Sequence, residues 1–235
     1  MHKVVLISTL LSSLLLAEGF EYKGNIGFEK AYIDHNIKNK RNSQDAIHLE
    51  LELKQKIKDG QFVFSGKAII DRDDRERRYI GINDLYYKHN FEDSDLLIGK
   101  NTRFWGAMEF YNHTDSFNTN DVLDDTFDYD SKIGAWNLAY THYFENSELA
   151  LIAKLYEEEQ PFQDRESVNN FFPFRYNQEL ERQKGKERPT LYLKYSGSGE
   201  ETQIDYALIY QNGYDKQRYL APTKGAFREH AYIVN

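Results

Sequence analysis

Ile47-His48-Leu49-Glu50-Leu51-Glu52-Leu53-Lys54 decides the fold class. Every second residue is aliphatic, and each one between is charged or titratable. An extended chain sends successive side chains to opposite faces, so this stretch makes one apolar face and one polar face. A helix would scatter both sets around its surface. The alternation recurs along the chain. Phe62, Phe64, Ala68 and Ile70 interleave with Gln61, Ser65 and Lys67, and Trp136, Leu138 and Tyr140 with Asn137 and Thr141. Leu149, Leu151, Ala153 and Leu155 oppose Glu148 and Lys154, while Ile204, Tyr206, Leu208 and Tyr210 oppose Gln203, Asp205 and Gln211. Less regular strands are expected at 22–33, 79–89, 96–101, 189–195 and 226–234. The total is about ten strands, most near the roughly 9–11 residues with which a tilted strand crosses a bilayer.

The connections alternate short and long. Lys58-Asp59-Gly60 carries the Asp-Gly signature of a tight hairpin, and the turns at 90–95, 145–147 and 196–200 are also short and polar. Between them lie the longer stretches 34–45, 71–78, 102–131, 157–188 and 212–225. An antiparallel meander then places all short turns at one end and all long loops at the other. Transmembrane barrels are built this way, with short periplasmic turns and long external loops. The expected fold is therefore all-β: an antiparallel transmembrane β-barrel. Tyrosines near strand ends, among them Tyr22, Tyr79, Tyr86, Tyr87, Tyr140, Tyr143 and Tyr210, suit an aromatic girdle at the headgroups.

The composition permits this. The 235 residues include 18 Tyr and 15 Phe, and charged residues make up 29%. A mean hydropathy of -0.75 argues against a helical membrane protein, but a barrel strand shows lipid only every second side chain. The net charge of -8 argues against nucleic acid as a partner. With no cysteine there is neither disulfide, thiolate ligand nor lipid-carrying cysteine. Met1-His2-Lys3, the apolar run from Val4 to Leu16 and the small Ala17 form a secretory signal peptide over residues 1–17. The barrel domain is then 18–235.

The polar phase of the strands supplies the lumen-facing candidates His48, Glu50, Glu52, Lys54, Lys67, Lys154 and Asp205, and residues of both signs suit a water-filled interior. The stretch 102–131 is long enough to imply a role. Folded inward, it would narrow a pore, with Arg103, Trp105, Glu109, Asp115 and Asp121 as constriction candidates setting ion selectivity.

Within that stretch, Gly99-Lys100, Arg103, Trp105-Gly106, Asp115, Asn118 and Asn120-Asp121 resemble a segment of porin-like outer-membrane channels grouped with the alginate-export and phosphate-selective porins. The resemblance spans about 25 residues, the length of a single hairpin with its loop. It implies a diffusion channel of many strands. Where that segment usually has proline between asparagine and aspartate, this chain has Thr119 and Asn120. The ending Ile233-Val234-Asn235 lacks the aromatic residue typical of such barrels, so the chain is expected to be an N-terminal portion of a larger one.

Other motifs read blandly. The acidic residues Asp121, Asp124, Asp125, Asp128 and Asp130 lack the order and glycine of a calcium loop, so no metal is expected, and Glu157-Glu158-Glu159 reads as a second solvated acidic run. Lys38, Lys40, Arg41, Arg72, Arg75, Arg77 and Arg78 are suited to lipopolysaccharide phosphates, although Asp71, Asp73, Asp74 and Glu76 offer local partners. Enzyme motifs are missing: Gly-x-Ser-x-Gly and His-Glu-x-x-His are absent, and His142 has no serine and asparagine set for phospholipase chemistry. No catalytic residue and no cofactor is expected. The leading expectation is a porin-like channel passing small hydrophilic solutes. The alternatives are a non-conducting barrel acting as adhesin or scaffold, and a soluble exported β-sandwich binding module. The partners are outer-membrane lipid, lipopolysaccharide and small solutes, with a homo-oligomer left open.

Overall fold

The structure, a computed structural model, describes residues 19–32, 41–105, 115–123, 131–164, 166–168, 170, 175–178, 187–199, 204–223 and 226–234. The segment 1–17, expected to be a signal peptide, and Glu109 lie outside them. So do Lys38 and Lys40, and the acidic residues 124–130.

The described residues hold no helix and eleven strands: β1 (Phe20–Tyr32), β2 (Ser43–Ile57), β3 (Gly60–Asp71), β4 (Tyr79–Asn90), β5 (Ser94–Asn101), β6 (Ala135–Tyr143), β7 (Ser147–Lys154), β8 (Arg175–Gln178), β9 (Thr190–Gly199), β10 (Ile204–Thr223) and β11 (Ala226–Val234). Nine of them, β1 to β7 with β9 and β10, form one antiparallel sheet. Beyond β9, β10 runs on as a ribbon with β11, and β8 pairs in parallel with β11. Among the described residues β1 and β8 end the strand order, so the sheet is open and not closed into a barrel.

Two stretches expected as loops contain strand. β8 lies within 157–188; only four residues long and parallel to its neighbour, it leaves no alternation to read. β10 continues through 212–223, within the stretch 212–225 expected as a loop. Pro222 sits where β10 has a neighbour on one side only, so its missing N–H costs no ladder bond within the main sheet.

The connection β2–β3 is the two-residue turn Lys58-Asp59, with Lys58 at φ 49. β2–β3, β4–β5 and β6–β7 are joined at one end of the sheet by short turns, and the chain passes from β3 to β4, β5 to β6 and β7 to β9 at the other. Two glycines fix the exit and return of the 102–134 loop. Gly99 has φ +137, and a Cβ there would stand 2.3 Å from the Leu85 carbonyl oxygen. A Cβ on Gly134 would stand 1.7 Å from the Asn83 carbonyl oxygen.

The register aligns the apolar phases of all nine strands on one face. Phe28, Ile47 and Ile70 form one row across β1–β3, and Ile26, Leu49, Ala68 and Ile80 the next across β1–β4. Leu96, Tyr140, Leu151, Leu193 and Tyr210 continue the face across β5–β10. These side chains are exposed: Phe28 is 83% accessible, Ile80 88% and Leu208 69%. The opposite, polar face is where the sheet packs. Its core is Leu97, Ala135, Ala139, Ala150, Ile152 and Tyr192, beneath Trp105 and Phe117 from the loop. Relative to a soluble sheet, the polarity is inverted.

Candidate functional site: the loop-covered polar face

Of the 102–134 loop, the described residues 102–105, 115–123 and 131–134 lie over the polar face, with contacts to β3, β6, β7 and β9. Its two arms pair with each other, Asp121 N–H donating to Ser131 O (2.9 Å) and Ile133 N–H to Thr119 O (2.9 Å). Asn118, fully buried, ties the arms together. Its Oδ1 accepts from Arg103 N–H (2.7 Å), and its Nδ2 donates to Ile133 O (2.8 Å) and Asn101 O (3.2 Å). Phe117 anchors the loop, with ring centroids 5.6 Å from Trp105 and 5.4 Å from Tyr192. Tyr192 Oη also donates to Ser116 O at 3.0 Å.

Wall lysines hold this covering layer by charge. Lys67 on β3 meets Asp121 at 2.5 Å, Lys100 on β5 meets Glu158 at 3.1 Å, and Lys154 on β7 meets Glu157 at 2.7 Å. Lys154 Nζ also donates to Phe117 O at 2.9 Å. Lys132 pairs with Asp115 inside the loop. Lys132 with Asp115 and Lys154 with Glu157 have left water, so each of these charges depends on its partner. Residues 166–168 meet β2 and its approach, where Ser167 Oγ donates to Gln44 Oε1 (3.4 Å) and Arg41 N–H to Glu166 O (3.1 Å).

The four described constriction candidates differ in place. Arg103 reaches into the polar face, donating to Asn137 Oδ1 at 3.2 Å. Burial pulls its guanidinium below the ordinary value, against the carboxylates of Asp95 and Glu148, which pull it up. Trp105 is 6% accessible and belongs to the core. Asp115 and Asp121 are buried in ion pairs, and Glu109 lies outside the described residues. The lumen candidates His48, Glu50, Glu52, Lys54, Lys67, Lys154 and Asp205 share the polar face. Lys67 and Lys154 are under the loops, whereas Glu50, Glu52 and Lys54 on β2 remain accessible.

Several residues of the covered polar face escaped the sequence reading. Glu157 is not solvated; it is 1% accessible against Lys154, and the i,i+3 spacing to a polar-phase lysine was its signal. Asn137 and Tyr192 are polar-phase residues whose loop partners no spacing reveals. Tyr79 and Tyr143 belong to the polar face and not to a girdle, Tyr79 Oη donating to Asp121 (3.2 Å) and Tyr143 to Asp95. No protein-family model, curated protein or solved structure matches the chain.

Proposed function

We propose that the chain forms a bacterial outer-membrane β-barrel, or part of one, whose polar face lines a water-filled passage for small hydrophilic solutes, narrowed by the 102–134 loop. The inverted polarity of the sheet carries this reading. Nine adjacent strands leave their aliphatic and aromatic side chains exposed while charged residues and long loops crowd the opposite face. Lipid is the solvent that stabilises such an arrangement, and strands cross it only when every edge is paired. The porin-type resemblance of Gly99 to Asp121 points the same way. The runner-up, a non-conducting barrel, is favoured by the depth at which the loops bury the β5–β9 wall. A soluble sandwich would need a second sheet over the apolar face.

Conductance of the purified full chain in planar bilayers tests the passage. Discrete ion steps are expected, and a silent but inserted protein would leave the non-conducting barrel. Under this reading, Asp121→Asn unbalances Lys67 and shifts permeability toward anions. One unit charge about 7 Å from a passing ion is worth roughly 0.6 kcal/mol in water, about threefold in occupancy. Unchanged reversal potentials would remove Asp121 from the passage.

The two faces should respond oppositely to arginine. Leu51→Arg places a cation on the exposed apolar face and is expected to cost about 2–4 kcal/mol in vesicle-folded protein, the midplane value for barrels. Asn25→Arg, on the polar face beside Glu50, should change stability by less than about 1 kcal/mol. Urea titration in phosphatidylcholine vesicles measures both. Equal costs would contradict the lipid-facing assignment, and a chain that never inserts would end the membrane reading.

A further inference from the structure

The apolar face ends abruptly toward the long loops. Lys30, Asp45 and Arg72 stand in one row across β1–β3, since Lys30 pairs with Asp45 and Arg72 N–H donates to Asp45 O at 2.9 Å. The row shares the outward phase of Phe28, Ile47 and Ile70 and lies one step beyond them. Lys30 and Arg72 are 79% and 80% exposed, and they approach Asp45 only at 3.9 and 4.0 Å, beyond hydrogen-bonding reach. Their donors are therefore held loosely by one carboxylate whose Oδ1 accepts no hydrogen bond. On the following turn Arg75 is exposed, Arg78 is committed to the carbonyls of Asp71 and Arg72, and Asp73 and Glu76 supply opposing charge. The whole is an apolar surface topped by two outward cations, complementary to a phosphorylated lipid.

We propose that Lys30 and Arg72 bind a phosphate of lipopolysaccharide, whose acyl chains lie along Phe28, Ile47 and Ile70. The inference rests on the outer-membrane reading, which places the long-loop end in the outer leaflet. A planar guanidinium and an ammonium on either side of a phosphate give charge-assisted hydrogen bonds that Asp45 at its present distance does not.

The test uses the full chain folded in phosphatidylcholine vesicles, with diphosphoryl lipid A as the probe and bound lipid read by native mass spectrometry after extraction. Each basic residue at a membrane surface contributes about fivefold, so Lys30→Ala with Arg72→Ala should weaken lipid A binding by more than tenfold. Asp45→Asn, which frees both cations, should tighten it. Excess inorganic phosphate should compete poorly; full displacement at equal concentration would show a free-phosphate site and overturn the lipid assignment. Unchanged lipid A affinity in the double variant, with insertion intact, would overturn the inference alone. Failure of the parent chain to insert would overturn the membrane reading and this site with it.

Discussion

Arg77→Ala is expected to destabilise the protein by about 3–5 kcal/mol, the cost of leaving a buried charge without its partner. Arg77 is fully buried and forks between two carboxylates, Asp71 at 2.6 Å and Glu29 at 2.7 Å. Glu29 is shared with His48 Nε2 at 2.6 Å. Asp71 Oδ1 meanwhile accepts the N–H groups of Asp73 and Asp74, at 2.8 and 2.7 Å, which shapes the β3–β4 turn. Removing the guanidinium takes the shared cation from both carboxylates, leaving Glu29 to His48 and Asp71 to the turn N–H groups, and loosens the β3–β4 turn that Arg77 ties to β1 on the polar face. Arg77→Lys should recover only part of the loss, because an ammonium cannot satisfy two carboxylates with a planar fork. Arg77→Ala with Asp71→Asn should cost less than the sum of the single changes. Denaturant midpoints decide it, and a loss below about 1 kcal/mol for Arg77→Ala would mean the network is dispensable.

Phe117→Ala should cost a similar 3–5 kcal/mol, the range for truncating a buried aromatic residue. Phe117 is fully buried between Trp105 and Tyr192, and its carbonyl receives Lys154. The change empties the site that holds the loop to the β7–β9 wall. Stability and passage can be read separately. Under the proposed function, the loosened loop widens the constriction, so single-channel conductance and open-channel noise both rise in Phe117→Ala. Phe117→Leu, which refills most of the volume, should show a smaller loss of stability and near-parental conductance. A destabilised Phe117→Ala protein with parental conductance would make the loop structural only.

The pattern that specifies strands is local, and the structure follows it. Ile47 to Lys54 reads as a two-faced strand because side-chain direction depends only on the residue's own backbone. Lys67 and Lys154 were legible as polar-phase residues for the same reason. The partner of Lys67 was not, because Asp121 reaches it through a loop conformation that no short-range period encodes, whereas Glu157 stands only three residues from Lys154. Trp105 shows the limit most plainly. An aromatic residue in a polar loop looked like a pore-lining group, yet Phe117 and Tyr192 enclose it, a packing set by strands far apart in the chain. β10 differs: no apolar alternation marks 212–223, and pairing with β11 extends the strand through it.

By itself, the sequence determined the strand class, the two-faced character of the alternating strands and the placing of the short turns 58–59, 91–93 and 144–146. Each follows from spacing along the backbone. Only the tertiary structure decided that all nine apolar phases fall on one continuous face, because a one-residue slip at any pair would have turned a strand over. It also decided that the long loops fold onto the polar face rather than away from it. That choice depends on lysines of β3, β5 and β7 finding carboxylates 54, 58 and 3 residues away, at Asp121, Glu158 and Glu157.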